Sequence, residues 1–282
     1  MSLIERALGK MRNPPAATGA HLQRPAPMPR ADAAPGPQLV ITAEMREQLG
    51  LMPPGGSQHQ RSSELRHIKR QVMAGIRAKP DERVVLVTSC MAGEGKSFTT
   101  ANLAASLALE HEHSLLLIDA DAVKPFMTRT LKLNGQPGLM DALADPARDA
   151  ESLVWQTDVP GLSVLPAGGA SDFTTEYFSS SRMRAVVDQL LRVPNRIILI
   201  DSLPMLLTTE APALLPVASQ ILMVVRAERT SQAAAREALN LIGDLSNVKL
   251  ILNGVTRTRL SSYLGYDSGF TYERARYSEE AK

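Results

Sequence analysis

The chain has 282 residues, a formal net charge of +2 and a single cysteine. So even a balance lacks the strongly basic face of a nucleic-acid binder, and one cysteine excludes an internal disulfide and fits a reducing compartment. There is no apolar run near the roughly 18 residues of a membrane span and no secretory signal at the N-terminus, so a soluble, cytoplasmic chain is expected.

Composition is uneven along the chain. Residues 1–60 carry nine of the nineteen prolines (Pro14, Pro15, Pro25, Pro27, Pro29, Pro35, Pro37, Pro53 and Pro54) and no aromatic residue. A segment of that kind buries too little apolar surface to offset its ordering entropy, so a mostly disordered arm is expected. Residues 61–260 are then the globular domain, and 261–282 a tail.

Within the arm, Met1 to Arg12 places Leu3, Ile4, Ala7, Leu8 and Met11 on one helical face. Ser2 and Glu5 have the spacing of a capping box. Two readings stay open: a helix that docks on a partner or membrane surface, or a nascent helix in solution. A second short amphipathic segment spans Thr42 to Leu51. Ser62 to Arg77 is a helix with Leu65, Ile68, Val72 and Ile76 on one stripe and basic residues elsewhere.

The stretch that organises the rest begins at Val84. An apolar run stops at the loop Ser89-Cys90-Met91-Ala92-Gly93-Glu94-Gly95-Lys96-Ser97, which opens into a helix from Phe98 to Leu109. Strand, glycine-bearing loop, Gly-Lys-Ser and helix form the phosphate-cradling P-loop. Gly93 and Gly95 let successive N–H groups face the phosphates, and the helix start adds its positive end. Lys96 is placed for the β and γ phosphates, and the Ser97 hydroxyl for Mg²⁺. Ala92, Gly93, Glu94, Gly95, Lys96, Ser97 and Phe98 are the candidate nucleotide-binding set. Cys90 stands where the general pattern has its first glycine. Its position near a helix start tends to lower a thiol pKa, against the plainer reading of a small residue in a small site.

Further strands follow. Leu115 to Ile118 ends at Asp119-Ala120-Asp121, two acids on one face at the sheet edge where α/β folds bind ligands. Gly138 to Ala144 is a short helix, Leu162 to Leu165 a strand, and Ser179 to Leu191 a helix. Ile197 to Ile200 ends at Asp201, the Walker B form, whose acid holds the Mg²⁺ shell. Ile221 to Val225 is a strand, Ser231 to Leu245 a helix, and Leu250 to Leu252 a last strand ending at Asn253. That Asn either reaches an adenine edge or is turn chemistry. Alternating strands and helices imply an α/β fold, a P-loop NTPase with a mostly parallel sheet and helices on both faces. The tail holds Tyr263, Tyr266, Tyr272 and Tyr277, four of five tyrosines, in a polar context unsuited to core.

Together, MSLIERALGKMR, SSELRHIKRQVM, TSCMAGEGKSFTTANLA, LLLIDADAVKP, TTEYFSSSRMRAVV, IILIDSLPML and the tyrosine cluster resemble the bacterial tyrosine autokinases of exopolysaccharide synthesis, of the exosortase-associated (PEP-CTERM locus) type. The resemblance covers nearly the whole chain. It implies a protein-tyrosine kinase that uses ATP and Mg²⁺ to phosphorylate its own tail, with neighbouring subunits in a ring presenting tails to one another. It also implies a membrane activator of the chain-length-determinant (polysaccharide co-polymerase) kind, a tyrosine phosphatase, and a cytoplasmic location at the inner membrane through that partner; the charge balance gives no expectation of a nucleic-acid partner. By this resemblance Lys96, Asp119 and Asp121 are catalytic, with Asp119 as base. Ser97, Asp121 and Asp201 hold metal, and Tyr263, Tyr266, Tyr272 and Tyr277 are acceptors.

Three positions depart from the family pattern. Val123 replaces the Arg of D-x-D-x-R, with Lys124 beside it. Asp201-Ser-Leu-Pro replaces Asp-[Thr/Ser]-Pro-Pro. The ring motif E-x-x-R-x-x-R aligns as Ser63, Arg66 and Lys69. Two rival readings follow: a weakly active or non-catalytic nucleotide-binding regulator of the same machinery, motivated by Val123, and a ParA/MinD-like positioning ATPase. The latter family carries an early P-loop lysine, where this chain has Ser89, Cys90 and Met91.

Overall fold

The structure, a computed structural model, describes residues 36–51 and 59–255. The amphipathic segment at 1–12, the tail at 261–282 and its four tyrosines lie outside the described residues. Among the described residues, an eight-stranded sheet has the order β1-β4-β5-β3-β6-β2-β7-β8. These strands are β1 (Gln38–Leu39), β2 (Val84–Ser89), β3 (Ser114–Asp119), β4 (Trp155–Thr157), β5 (Leu162–Leu165), β6 (Arg196–Pro204), β7 (Gln220–Arg226) and β8 (Val248–Asn253). Every pairing is parallel except β4 with β5.

The central strands are continuous apolar runs because both faces are covered. Alternate residues enter opposite cores: Val84, Leu86, Leu116, Ile118, Ile198 and Ile200 face one, and Val85, Val87, Leu115, Leu117, Ile197 and Leu199 the other. The second core is closed by α2 (His59–Ala78), through Val72, Met73 and Ile76, and by α3 (Lys96–Leu107), through Leu103 and Leu107. The first is closed by α5 (Leu139–Ala144), α7 (Ser181–Leu190) and α9 (Gln232–Ile242). The short helices α4 (Phe126–Thr130), α6 (Thr174–Ser179) and α8 (Glu210–Ala213) sit in connections. No helix among the described residues is long and apolar enough to cross a membrane.

One correction concerns the arm. Residues 36–51 are folded onto the domain, not free of it. Strand β1 pairs with β4, and α1 (Ala43–Gln48) follows, its cap Thr42 accepting the Met45 N–H at 3.3 Å. Leu39, Ile41, Met45 and Leu49 are buried. The Ile41 N–H donates to Asp158 Oδ1 at 2.8 Å, and the Asn102 amide donates to the Gly50 carbonyl at 3.1 Å. A handful of apolar side chains spaced for one face outweighs the proline-rich average around them.

Candidate nucleotide and phosphoryl-transfer site

Strands β2, β3 and β6 are neighbours, and their C-terminal ends bring three chain segments to one opening. After β2 the chain turns through Gly93 (φ +78°) and Gly95 (φ +92°), the left-handed backbone that glycine adopts freely. Gly95 is the N-cap of α3 and offers no side-chain cap. The first N–H groups of that helix are therefore left for an anion. Met91, Ala92 and Gly93 are exposed, while Glu94 is buried. Phe98 lies on the far side, its ring against Gly50.

Lys96 extends across the mouth. Its Nζ lies 3.2 Å from Ser97 Oγ, 3.7 Å from Asp201 Oδ2 and 4.0 Å from Asp121 Oδ2. Asp201 is fully buried, and Thr100, one turn beyond Lys96, donates its hydroxyl to Oδ1 at 2.9 Å. Asp201 Oδ2 is buried with no hydrogen-bond partner. Burial pushes this carboxyl upward in pKa, opposed by Lys96, Ser97 and Thr100. An orphaned carboxylate oxygen beside a hydroxyl and a second acid is a donor set that fits Mg²⁺, which takes one or two carboxylates and fills its remaining positions with water and phosphate oxygens. Ser97, Asp201 and Asp121 would hold it. No group of three or more His, Cys, Asp or Glu suited to a metal occurs among the described residues.

The two acids after β3 are not equivalent. Asp119 pairs in register with Asp201 and is fully buried. Its Oδ2 accepts both the N–H and the hydroxyl of Thr128 at 2.8 Å, and its Oδ1 accepts the Asp121 N–H at 3.2 Å. Asp119, which the resemblance makes the base, fixes the Asp121 turn and α4 and has no face on the opening. Asp121 does, its side chain 14% exposed. Its Oδ1 is held by the Lys124 N–H at 2.8 Å, leaving Oδ2 toward Lys96.

Asp119 is pushed from 3.8 to about 7, first by burial and then by Asp201, against the lowering hydrogen bonds. The folded chain thus keeps a proton between pH 3.8 and about 7 that the unfolded chain has lost. Stability of the nucleotide-free protein is expected to fall as pH rises through that window. Thermal melting at stepped pH checks this, and Asp119→Asn should flatten the slope.

Two other residues for which the sequence left two readings open are placed by their contacts. Asn253, the candidate for an adenine edge, ends β8 beside the phosphate loop. Its Nδ2 donates to the Glu94 carbonyl at 2.8 Å, beneath the phosphate loop. Cys90 is buried against Met223, Sγ to Sδ 3.7 Å, and its thiol is pushed up to about 11 by burial and then by Glu94. The plainer reading of Cys90 as a small buried residue holds. Thr100, Thr128 and Thr230 were not singled out in the sequence. Only Thr100 had a signal there, lying four residues after Lys96 on the same helix face.

No protein-family model matches the chain. EpsB of Ralstonia nicotianae is 33% identical over 195 residues, covering 69% of this chain and 25% of EpsB; this chain thus spans about a quarter of that relative's length. The tyrosine-protein kinase CpsD of Streptococcus agalactiae serotype III is 30% identical over 159 residues, covering 56% of this chain and 67% of CpsD. Among solved structures, the BceF tyrosine kinase domain matches with a TM-score of 0.63 and 27% identity, over 78% of this chain and 92% of that domain. A P-loop, paired acids and a Walker B Asp meet at one sheet edge, and the kinase CpsD is matched over two thirds of its length: the chain belongs to the bacterial tyrosine-protein kinases.

Proposed function

We propose that the chain transfers the γ-phosphoryl group of ATP to tyrosines of its own C-terminal segment, Tyr263, Tyr266, Tyr272 and Tyr277, and so regulates exopolysaccharide synthesis. The observation that carries this is the meeting of Lys96, Ser97, Asp121 and Asp201 within one opening. Bound Mg²⁺ would supply charge neutralisation at the β and γ phosphates. The chain's own work is positioning. The uncapped amides of the loop and the Lys96 ammonium hold the phosphates, and Asp201 keeps Ser97 and Lys96 in register.

A tyrosine hydroxyl has a pKa of about 10, so it attacks well only when a carboxylate accepts its proton. The bond from phosphorus to the tyrosine oxygen forms as the bond to the bridging oxygen of ADP breaks. The resemblance gives the acceptor role to Asp119; Asp121, which faces Lys96 at the opening, is the second candidate, and Asp119 holds the turn that carries it. By the family resemblance, a membrane polysaccharide co-polymerase is the activator and a phosphatase reverses the modification. At the third position of the ring motif, Lys69 pairs with Glu110 of the same chain at 2.7 Å, a pair that a ring using this position would have to exchange. The regulator reading keeps one observation in its favour: Val123, at the family's Arg position, is 63% exposed and makes no charged contact.

The test is incubation with radiolabelled ATP and Mg²⁺. Label is expected on the wild-type chain and is expected to vanish when all four tail tyrosines are replaced by Phe. Retained label in that variant would contradict the proposed acceptors.

A further inference from the structure

The underside of the phosphate loop is fastened to two segments that no part of the phosphoryl chemistry uses. Glu94 is only 4% exposed although the three residues before it are exposed. Its Oε2 accepts the Met91 N–H at 3.0 Å, closing the first turn of the loop into a ring. Its Oε1 accepts the Thr230 hydroxyl. Thr230 Oγ in turn accepts the Arg226 N–H at 3.0 Å, so the β7–α9 connection is itself held in shape. The Glu94 main-chain carbonyl accepts the Asn253 side-chain amide from the end of β8.

Gly95 completes the arrangement. A Cβ built there would stand 2.0 Å from Asn253 Nδ2. This glycine is therefore required by the contact from below as well as by its left-handed backbone. A buried carboxylate is costly unless hydrogen bonds satisfy it. Here the donors come from the loop itself and from the β7–α9 connection, and among the described residues Glu94 has no Lys or Arg ion pair to hold it instead.

We infer that Glu94, Thr230 and Asn253 form a strut that presets the phosphate loop, so that the β7–α9 connection and the end of β8 govern affinity for the phosphates of a nucleoside triphosphate. The inference rests on the nucleotide-site reading above. All three are positioning residues. The loop amides must converge on one anion, and a loop already closed by Glu94 spends less ordering free energy on binding. The polypeptide leaves β8 directly at Asn253, so the strut also links the loop to the point from which the C-terminal segment departs.

The experiment titrates a fluorescent ATP analogue with Mg²⁺ into the full chain. Thr230→Val keeps shape but removes both the donor to one Glu94 oxygen and the acceptor of the Arg226 N–H, and is expected to weaken binding about tenfold. Turnover at saturating ATP should stay within about twofold, because the strut acts on the free loop rather than on the transition state. Thr230→Ser restores the hydroxyl and should restore affinity. Unchanged affinity in Thr230→Val, or a loss that Thr230→Ser does not rescue, overturns the inference. Should Thr230→Val fail to fold, Asn253→Ala is decisive. It removes the donor without adding bulk, and wild-type affinity there overturns the strut. If the wild-type chain binds no nucleotide, the nucleotide-site reading falls and the strut with it. Binding by wild type with indifferent variants sinks the strut alone.

Discussion

Lys96→Met is expected to cut phosphoryl transfer by roughly 10²–10³-fold, the scale set by removing one preorganised charge-stabilising donor. Among the described residues, Lys96 is the one cation ion-paired with Asp121 or Asp201. It bridges the loop that holds phosphate and the two strands that carry the acids. Methionine keeps the length and apolar stem but places no charge near the γ phosphate, where negative charge must be balanced during transfer. The fold should survive. Burial already favours the neutral form of Asp201, so losing the ammonium costs less than stranding a fixed buried charge would. Melting curves and transfer rates measured together check both halves. Wild-type transfer in this variant would remove Lys96 from the chemistry.

Gly95→Ala is expected to abolish nucleotide binding and to destabilise the nucleotide-free chain more than Gly93→Ala does. Both glycines have left-handed backbone, at φ +92° and +78°, and a non-glycine residue there costs roughly 1–2 kcal/mol. The difference lies in space. A Cβ at Gly93 meets nothing within 4 Å, whereas at Gly95 it collides with the Asn253 amide. Gly95→Ala must therefore break the Asn253 to Glu94 hydrogen bond as well as carry the strain, which adds about 1 kcal/mol or more. Denaturant melts of the two variants give the comparison, and equal stability would show that the space beneath Gly95 is not used.

Much of the fold was legible because its central strands are buried on both faces. Val84 to Val87, Leu115 to Ile118 and Ile197 to Ile200 each read as an unbroken aliphatic run, the first leading into the phosphate loop and the other two ending at an Asp, and all three lie side by side in the sheet. Strands β1 and β4 were not legible: two and three residues long, they are defined by pairing with distant segments rather than by their own pattern. The amphipathic segment from Thr42 was legible and is the helix Ala43–Gln48, but its docking on the domain was not, since prolines on either side dominate any window wide enough to judge.

The site shows the same division. Lys96, Ser97, Asp121 and Asp201 stand at strand ends or in a loop of recognisable spacing. What the sequence could not distinguish was the environment of two acids only two residues apart, because the burial of Asp119 depends on Thr128 from the following turn and Asp201 from the neighbouring strand. Asn253 and Thr230 acquire their roles only once β7 and β8 bring them beneath Glu94.

The central claim is transfer to the chain's own tyrosines, and site-resolved mass spectrometry of the full chain after incubation with ATP and Mg²⁺ tests it most directly. The measurement is made with and without a co-expressed membrane partner, beside Lys96→Met. The account predicts phosphate on Tyr263, Tyr266, Tyr272 or Tyr277 in the wild type and none in the variant. A chain that binds nucleotide yet leaves all four tyrosines unmodified, partner present, would contradict it and favour a nucleotide-binding regulator.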